Sequence, residues 1–293
     1  MGCGIGCGVL ILLGVIFGVG SVFFVKRTMR GFDEAITTRL ELTQRFGETW
    51  EYVPPPDGAV PEERMRVFLA VRDSLSPMRE RIGATFKSFA AAGKEIEQET
   101  SGLRKVIQGL KIGRSGLGLG GDLGEFFRVR NQALLDSEMG MGEYTYIYAL
   151  AYYALLRHSP DDGPEDVFVD FDEEESSAEA PEGFEHWERS RHDGDRPYRR
   201  IRRDLLAILD NQLAELPPPG ESAQADAWRQ ELRAEIDALA ADPARVIWQD
   251  GLPTTIRASL APYRDRLETS YSCAMNIFEL SQNRKQGWSI RSE

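Results

Sequence analysis

Hydrophobic positions along the chain follow two regimes. From Ile5 to Val25 about twenty residues run without a charge, and at 1.5 Å rise per residue such a run spans the roughly 30 Å hydrocarbon core of a bilayer. Lys26, Arg27 and Arg30 follow at once. Beyond them apolar residues recur three, four or seven apart, the spacing of one helix face, and no alternating stretch of strand length occurs. The pattern predicts an all-α protein: one N-terminal transmembrane helix, then a bundle of about six or seven helices with a disordered acidic insert. Four stretches follow: an anchor (1–28), the first part of a helical domain (29–158), the insert (159–195) and the second part of the domain (196–293).

The helices are predicted from their apolar stripes and their punctuation. Phe32, Ile36, Leu40 and Phe46 define a first one. The prolines between Trp50 and Pro61 force extended backbone, Asp57-Gly58 reads as a turn, and Pro61 suits the start of the next helix. Met65, Phe68, Leu69 and Leu75 form its buried face, and Ser76-Pro77 ends it and caps a long helix carrying Met78, Ile82, Phe86 and Phe89. Trp50, Tyr52 and Phe68 form a corner where the proline segment meets that face. A glycine-rich stretch, 113–124, precedes a helix with Phe126, Phe127, Leu134 and Leu135, opened by Asp122 and Glu125 as a capping pair. Tyr144 to Leu156 is apolar on all sides and is expected at the centre of the bundle. Ile201 to Leu213, Trp228 to Leu239 and Ile256 to Ile277 supply the remaining helical patterns, with Pro262 as a kink or start in the last.

Charge adds one feature. The net charge is −12, and the segment from Asp161 to Asp195 alone holds fifteen acidic residues against two arginines. Such composition does not order itself. Nucleic acid is excluded as a partner by this balance. Directly after the insert, Arg196, Arg199, Arg200 and Arg203 crowd one helical start. The acidic residues Asp170, Asp172, Glu173 and Glu174 make a complementary set, so these eight residues define a latch or partner surface. A solvated charge run is the plainer reading, because exposed ion pairs contribute about 0–1 kcal/mol each.

Candidate chemistry is sparse. Gly116, Gly118 and Gly121 match a dinucleotide-loop spacing, but a helix rather than a strand precedes them. His158, His186 and His192 lack zinc-site spacing, no nucleophile-elbow motif occurs, and three cysteines give no disulfide framework. No catalytic residue, cofactor or metal is assigned. Tyr144 and Tyr148, with Phe127, are the candidate lining of a pocket, weighed against simple core filling.

The run Tyr52-Val-Pro-Pro-Pro-Asp-Gly58, the stretch Glu63 to Arg72 and the step Glu143-Tyr144 resemble a pattern in bacterial single-pass membrane-anchored helical proteins to which no activity is attached. The resemblance implies a bacterial envelope location and a helical fold. The expected function is a membrane-tethered interaction or scaffolding protein, non-enzymatic, touching the lipid bilayer and a protein partner, for which a second copy of itself is one candidate. A ligand-binding sensor domain and an unrecognised hydrolase are the alternatives. The positive flank after Val25 favours a cytoplasmic domain.

Overall fold

A computed structural model describes residues 33–98, 119, 121–163 and 197–281. The apolar run 5–25 lies outside the described residues. Among those described, no helix is long and apolar enough to cross a membrane, and no strand occurs. The chain is all-α.

The elements, in order, are α1 (33–46), a 3-10 turn Thr49–Glu51, α2 (Glu62–Ser74), α3 (Ser76–Gln98), α4 (121–136), α5 (Met141–Tyr148) running into a π-helical segment Ala149–Leu155, α6 (Pro197–Ala214), α7 (Ala223–Ala241), α8 (Thr254–Leu260), α9 (Arg264–Ser270) and α10 (Asn276–Glu279). These segments outnumber the predicted six or seven helices in part because the last pattern is broken. Pro262 sits in a 3-10 turn after α8, and the backbone turns extended at Tyr271. A single stripe of apolar residues is thereby shared among three short helices.

α5 and its π extension form the axis. Almost every side chain from Met141 to Ala154 is buried, as a helix apolar on all sides requires. α2 presents Met65, Phe68 and Leu69 to it, all at 0% exposure. α6 and α7 make a helical hairpin whose inner faces carry Leu205, Ile208, Leu209, Leu232 and Leu239. Ser222 caps α7 by accepting from the Ala225 N–H at 3.4 Å.

Two local expectations are corrected. Leu40 is 58% exposed, while Ala35 and Leu42 are buried. Leu40 precedes Leu42 by two residues and so falls on the opposite side of a 3.6-residue turn. Asp122 does not open α4 but lies within it, 3.2 Å from the Arg81 guanidinium of α3.

The proline segment is held by α5 and α6. Asn211 and Gln212 of α6 donate to the carbonyls of Trp50 (2.8 Å) and Pro55 (2.6 Å), and the Tyr146 hydroxyl donates to the Gly58 carbonyl (2.9 Å). α5 approaches it so closely that a Cβ at Gly142 would lie 2.5 Å from both the Thr49 carbonyl oxygen and the Tyr52 Cβ. Gly142→Ala is therefore expected to destabilise the chain by about 2 kcal/mol through overpacking against backbone. Urea denaturation of the purified protein measures it, and an unchanged midpoint would refute the close approach.

Candidate functional site

The axis of the bundle carries charge. Arg72 extends from α2 one turn beyond Phe68 and Leu69, on the buried stripe, and is 0% exposed. Its Nη1 forms an ion pair with Glu279 Oε1 of α10, also 0% exposed. The Tyr144 hydroxyl bridges the pair, accepting from Arg72 Nη1 at 3.2 Å and donating to Glu279 Oε2 at 3.0 Å. Arg72 Nη2 donates to the Ser270 carbonyl, and the guanidinium lies 5.3 and 5.1 Å from the ring centroids of Tyr148 and Tyr152. Arg79 of α3, 6% exposed, brings its Nη1 to 3.8 Å from Glu279 Oε1.

Two arginines thus face one carboxylate inside the core. Burial opposes the charge on Arg72, but Glu279 beside it, with the hydroxyls of Tyr152, Tyr144 and Tyr148, holds the guanidinium well above its usual range. Arg79 moves the other way: burial, and then the neighbouring Arg72 cation, lower it more than Glu279 raises it. Burial also pushes the phenols of Tyr144, Tyr148 and Tyr153 upward.

A second cluster adjoins the first. Asn276, 0% exposed at the start of α10, accepts on Oδ1 from the hydroxyls of Tyr148 (3.0 Å) and Tyr153 (3.1 Å). The π-helical turn makes this convergence possible, because its wider winding brings residues five apart onto one side. Asn276 Nδ2 donates to the carbonyls of Ser159, Pro160 and Asp162, at 3.2, 3.1 and 2.9 Å. Residues 159–163, which composition assigns to the acidic insert, therefore lie on the core.

Arg130 of α4 closes the end of α10. Its Nη1 donates to the carbonyls of Phe278, Glu279 and Ser281 at 3.3, 2.7 and 3.0 Å. The Glu279 carbonyl is one that a helix C-terminus leaves without an intrahelical partner. Burial lowers its guanidinium to about 10, with the neighbouring Tyr144 and Glu279 opposing. Its Nε and Nη2 hold Asn131 Oδ1, and Asn131 Nδ2 reaches the Ala35 carbonyl of α1 at 3.1 Å.

The structure places the sequence candidates as follows. Tyr144 and Tyr148 lie side by side, ring centroids 6.1 Å apart, with their hydroxyls engaged as above. Phe127 lies beside Arg130, whose guanidinium is 5.2 Å from its ring. Arg199, Arg200 and Arg203 are exposed on the first turns of α6. Arg196, Asp170, Asp172, Glu173 and Glu174 lie outside the described residues. A small cleft opens elsewhere, lined by Arg39, Leu42, Thr43, Thr49, Arg130 and Met141 among others.

The residues that carried the resemblance meet in space. Arg64 grips Glu143 through two bonds, Nε to Oε1 at 2.6 Å and Nη2 to Oε2 at 2.5 Å, a fork geometry that carboxylates match well. Tyr52 packs on Tyr146 with centroids 5.9 Å apart. Arg72, Arg79, Arg130, Asn276 and Glu279 were not singled out from sequence. The available signal was positional: Arg72 and Arg79 follow buried apolar residues by three or four. No family model, curated protein or solved structure matches this chain.

Proposed function

We propose that this chain is a membrane-tethered helical interaction protein of the bacterial envelope, held by residues 5–25, that acts by docking a protein partner rather than by turning over a substrate. One observation supports this most. The polar side chains in the axis of the bundle, Arg72, Tyr144, Asn276 and Glu279, are all at 0% exposure and bonded to one another or to backbone. Groups engaged in this way brace helices; a substrate would have to displace those bonds. Outside that core the arginine row Arg199, Arg200 and Arg203 stands exposed at the start of α6 and suits a partner with an acidic surface.

The test is fractionation and cross-linking of the full-length chain in bacterial membranes. The chain is expected to stay with membranes through a high-salt wash and to leave only with detergent. It should give a discrete cross-linked species, a second copy included, that the triple variant Arg199→Gln, Arg200→Gln, Arg203→Gln loses. Recovery of intact chain in the soluble fraction would contradict the tether. A cross-linked species indifferent to the triple variant would contradict the docking face.

A further inference from the structure

We propose that His158, Asp162 and Tyr271 form a proton-sensitive clasp that holds the α9–α10 segment against the tyrosine core. The geometry lies where the chain leaves the π helix. Arg157 adopts a positive φ of 65°, a backbone region uncommon for residues other than glycine, and the chain doubles back. The His158 N–H then reaches the Tyr152 carbonyl at 2.9 Å. The imidazole is laid flat on the Tyr271 ring, with centroids 3.7 Å apart and planes within 5°.

Both partners converge on one oxygen. The Tyr271 hydroxyl donates to Asp162 Oδ2 at 2.9 Å, and His158 Nδ1 lies 3.9 Å from the same atom. Asn276, five residues after Tyr271, holds the carbonyls of Ser159, Pro160 and Asp162, so the loop and the C-terminal segment are joined twice. The His158 side chain is 32% exposed, so protons reach it.

The groups facing His158 are few. Asp162 comes from its own loop, Glu268 from α9, the Tyr152 ring from the π segment at 6.5 Å, and Tyr271 from below. Asp162, Tyr153 and Cys273 face Tyr271 in turn. The neighbouring Arg157 guanidinium instead donates to the Gln249 carbonyl at 2.7 Å. Burial lowers the imidazole below its ordinary 6.5, outweighing the attraction of Asp162 and Glu268.

A histidine lowered on folding stabilises the fold fully above about pH 6.5, and that contribution is lost as pH falls from there toward the lowered value. On protonation the imidazolium competes with the Tyr271 hydroxyl for Asp162 Oδ2, and the cation draws water into the stack. Release would free α10, which carries both Asn276 and Glu279, from the tyrosine core.

Hydrogen exchange of the full chain in detergent micelles, read between pH 7.5 and 5.5 and corrected for intrinsic exchange, tests the clasp. Protection of residues 158–163 and 270–279 is expected to fall at least fivefold relative to α6 and α7. His158→Phe, which keeps a stacked ring but cannot titrate, should abolish the change. Constant protection in the wild type, or an equal fall in the folded phenylalanine variant, would overturn the proposal. Asp162→Asn provides a second readout if that variant does not fold: removing the carboxylate should move the wild-type midpoint to lower pH, and a fixed midpoint would overturn the proposal equally.

Discussion

Glu279→Gln is expected to destabilise the chain by about 3–5 kcal/mol, because it leaves buried arginine charge without its counter-ion. The effect should exceed that of Arg72→Met. Two guanidinium groups, Arg72 and Arg79, face the one carboxylate. Removing Arg72 still leaves Glu279 an arginine at 3.8 Å, whereas removing the carboxylate leaves both cations opposed by none at that point. The paired change Arg72→Met with Glu279→Leu should recover only part of the loss: it replaces one buried ion pair by apolar residues, which costs little, but leaves Arg79 without its carboxylate. Denaturant titration of Arg72→Met, Glu279→Leu and the double variant carrying both gives the coupling energy. Equal small losses of about 1 kcal/mol or less in all variants would mean that the pair is hydrated and does not organise the axis.

The second large effect belongs to Asn276. Its side chain makes five hydrogen bonds, two accepted from tyrosines and three donated to loop carbonyls. Asn276→Leu keeps the volume and removes all five, stranding buried polar groups that each lose about 1–3 kcal/mol when left unpaired. Partial rehydration of the loop limits the total, and a loss of about 4 kcal/mol is expected. Tyr148→Phe and Tyr153→Phe, which each remove one hydroxyl, should lose about 1 kcal/mol apiece. Asn276→Asp is expected to be nearly as damaging as the leucine change, because a carboxylate cannot donate to three carbonyls. Melting of these variants by circular dichroism gives the ranking. An Asn276→Leu variant as stable as wild type would contradict the role assigned to α10.

The parts of the fold that could be read from sequence were those with dense, regular apolar spacing. Met65, Phe68 and Leu69 fall on the buried stripe of α2, with Leu75 buried just past its end; α3 starts at Ser76, whose hydroxyl donates to Glu80 rather than capping the helix as expected; and Tyr144 to Ala154 is the central buried stretch. The site was less legible, for identifiable reasons. Arg72 occupies a core position on the α2 stripe, but arginine is so seldom fully buried that composition reads it as surface. Its partner lies 207 residues on, in a helix of four residues that no periodicity can announce. Tyr144, Tyr148 and Tyr152 were visible as a stripe of period four. Tyr153 was not, because only the π winding brings it to the same side, and nothing in local propensity marks a π segment. The acidic composition of 159–163 masked their place on the core, which depends on an asparagine more than a hundred residues away.

α10 has four residues and would not hold helical structure alone, since isolated short helices are unstable in water. It persists through what reaches it: Arg72 and Arg79 toward Glu279, Arg130 at its terminal carbonyls, and the tyrosines on Asn276. The bundle is thus fastened at its far end by these polar contacts together with the buried side chains of Met275, Ile277 and Leu280. The most direct measurement of that claim is native-state hydrogen exchange of the full-length chain at pH 7.5, read peptide by peptide. Residues 264–281 should share the slow, cooperative exchange of α5 and the π segment. Rapid exchange of 264–281 beside a protected α5 would contradict it.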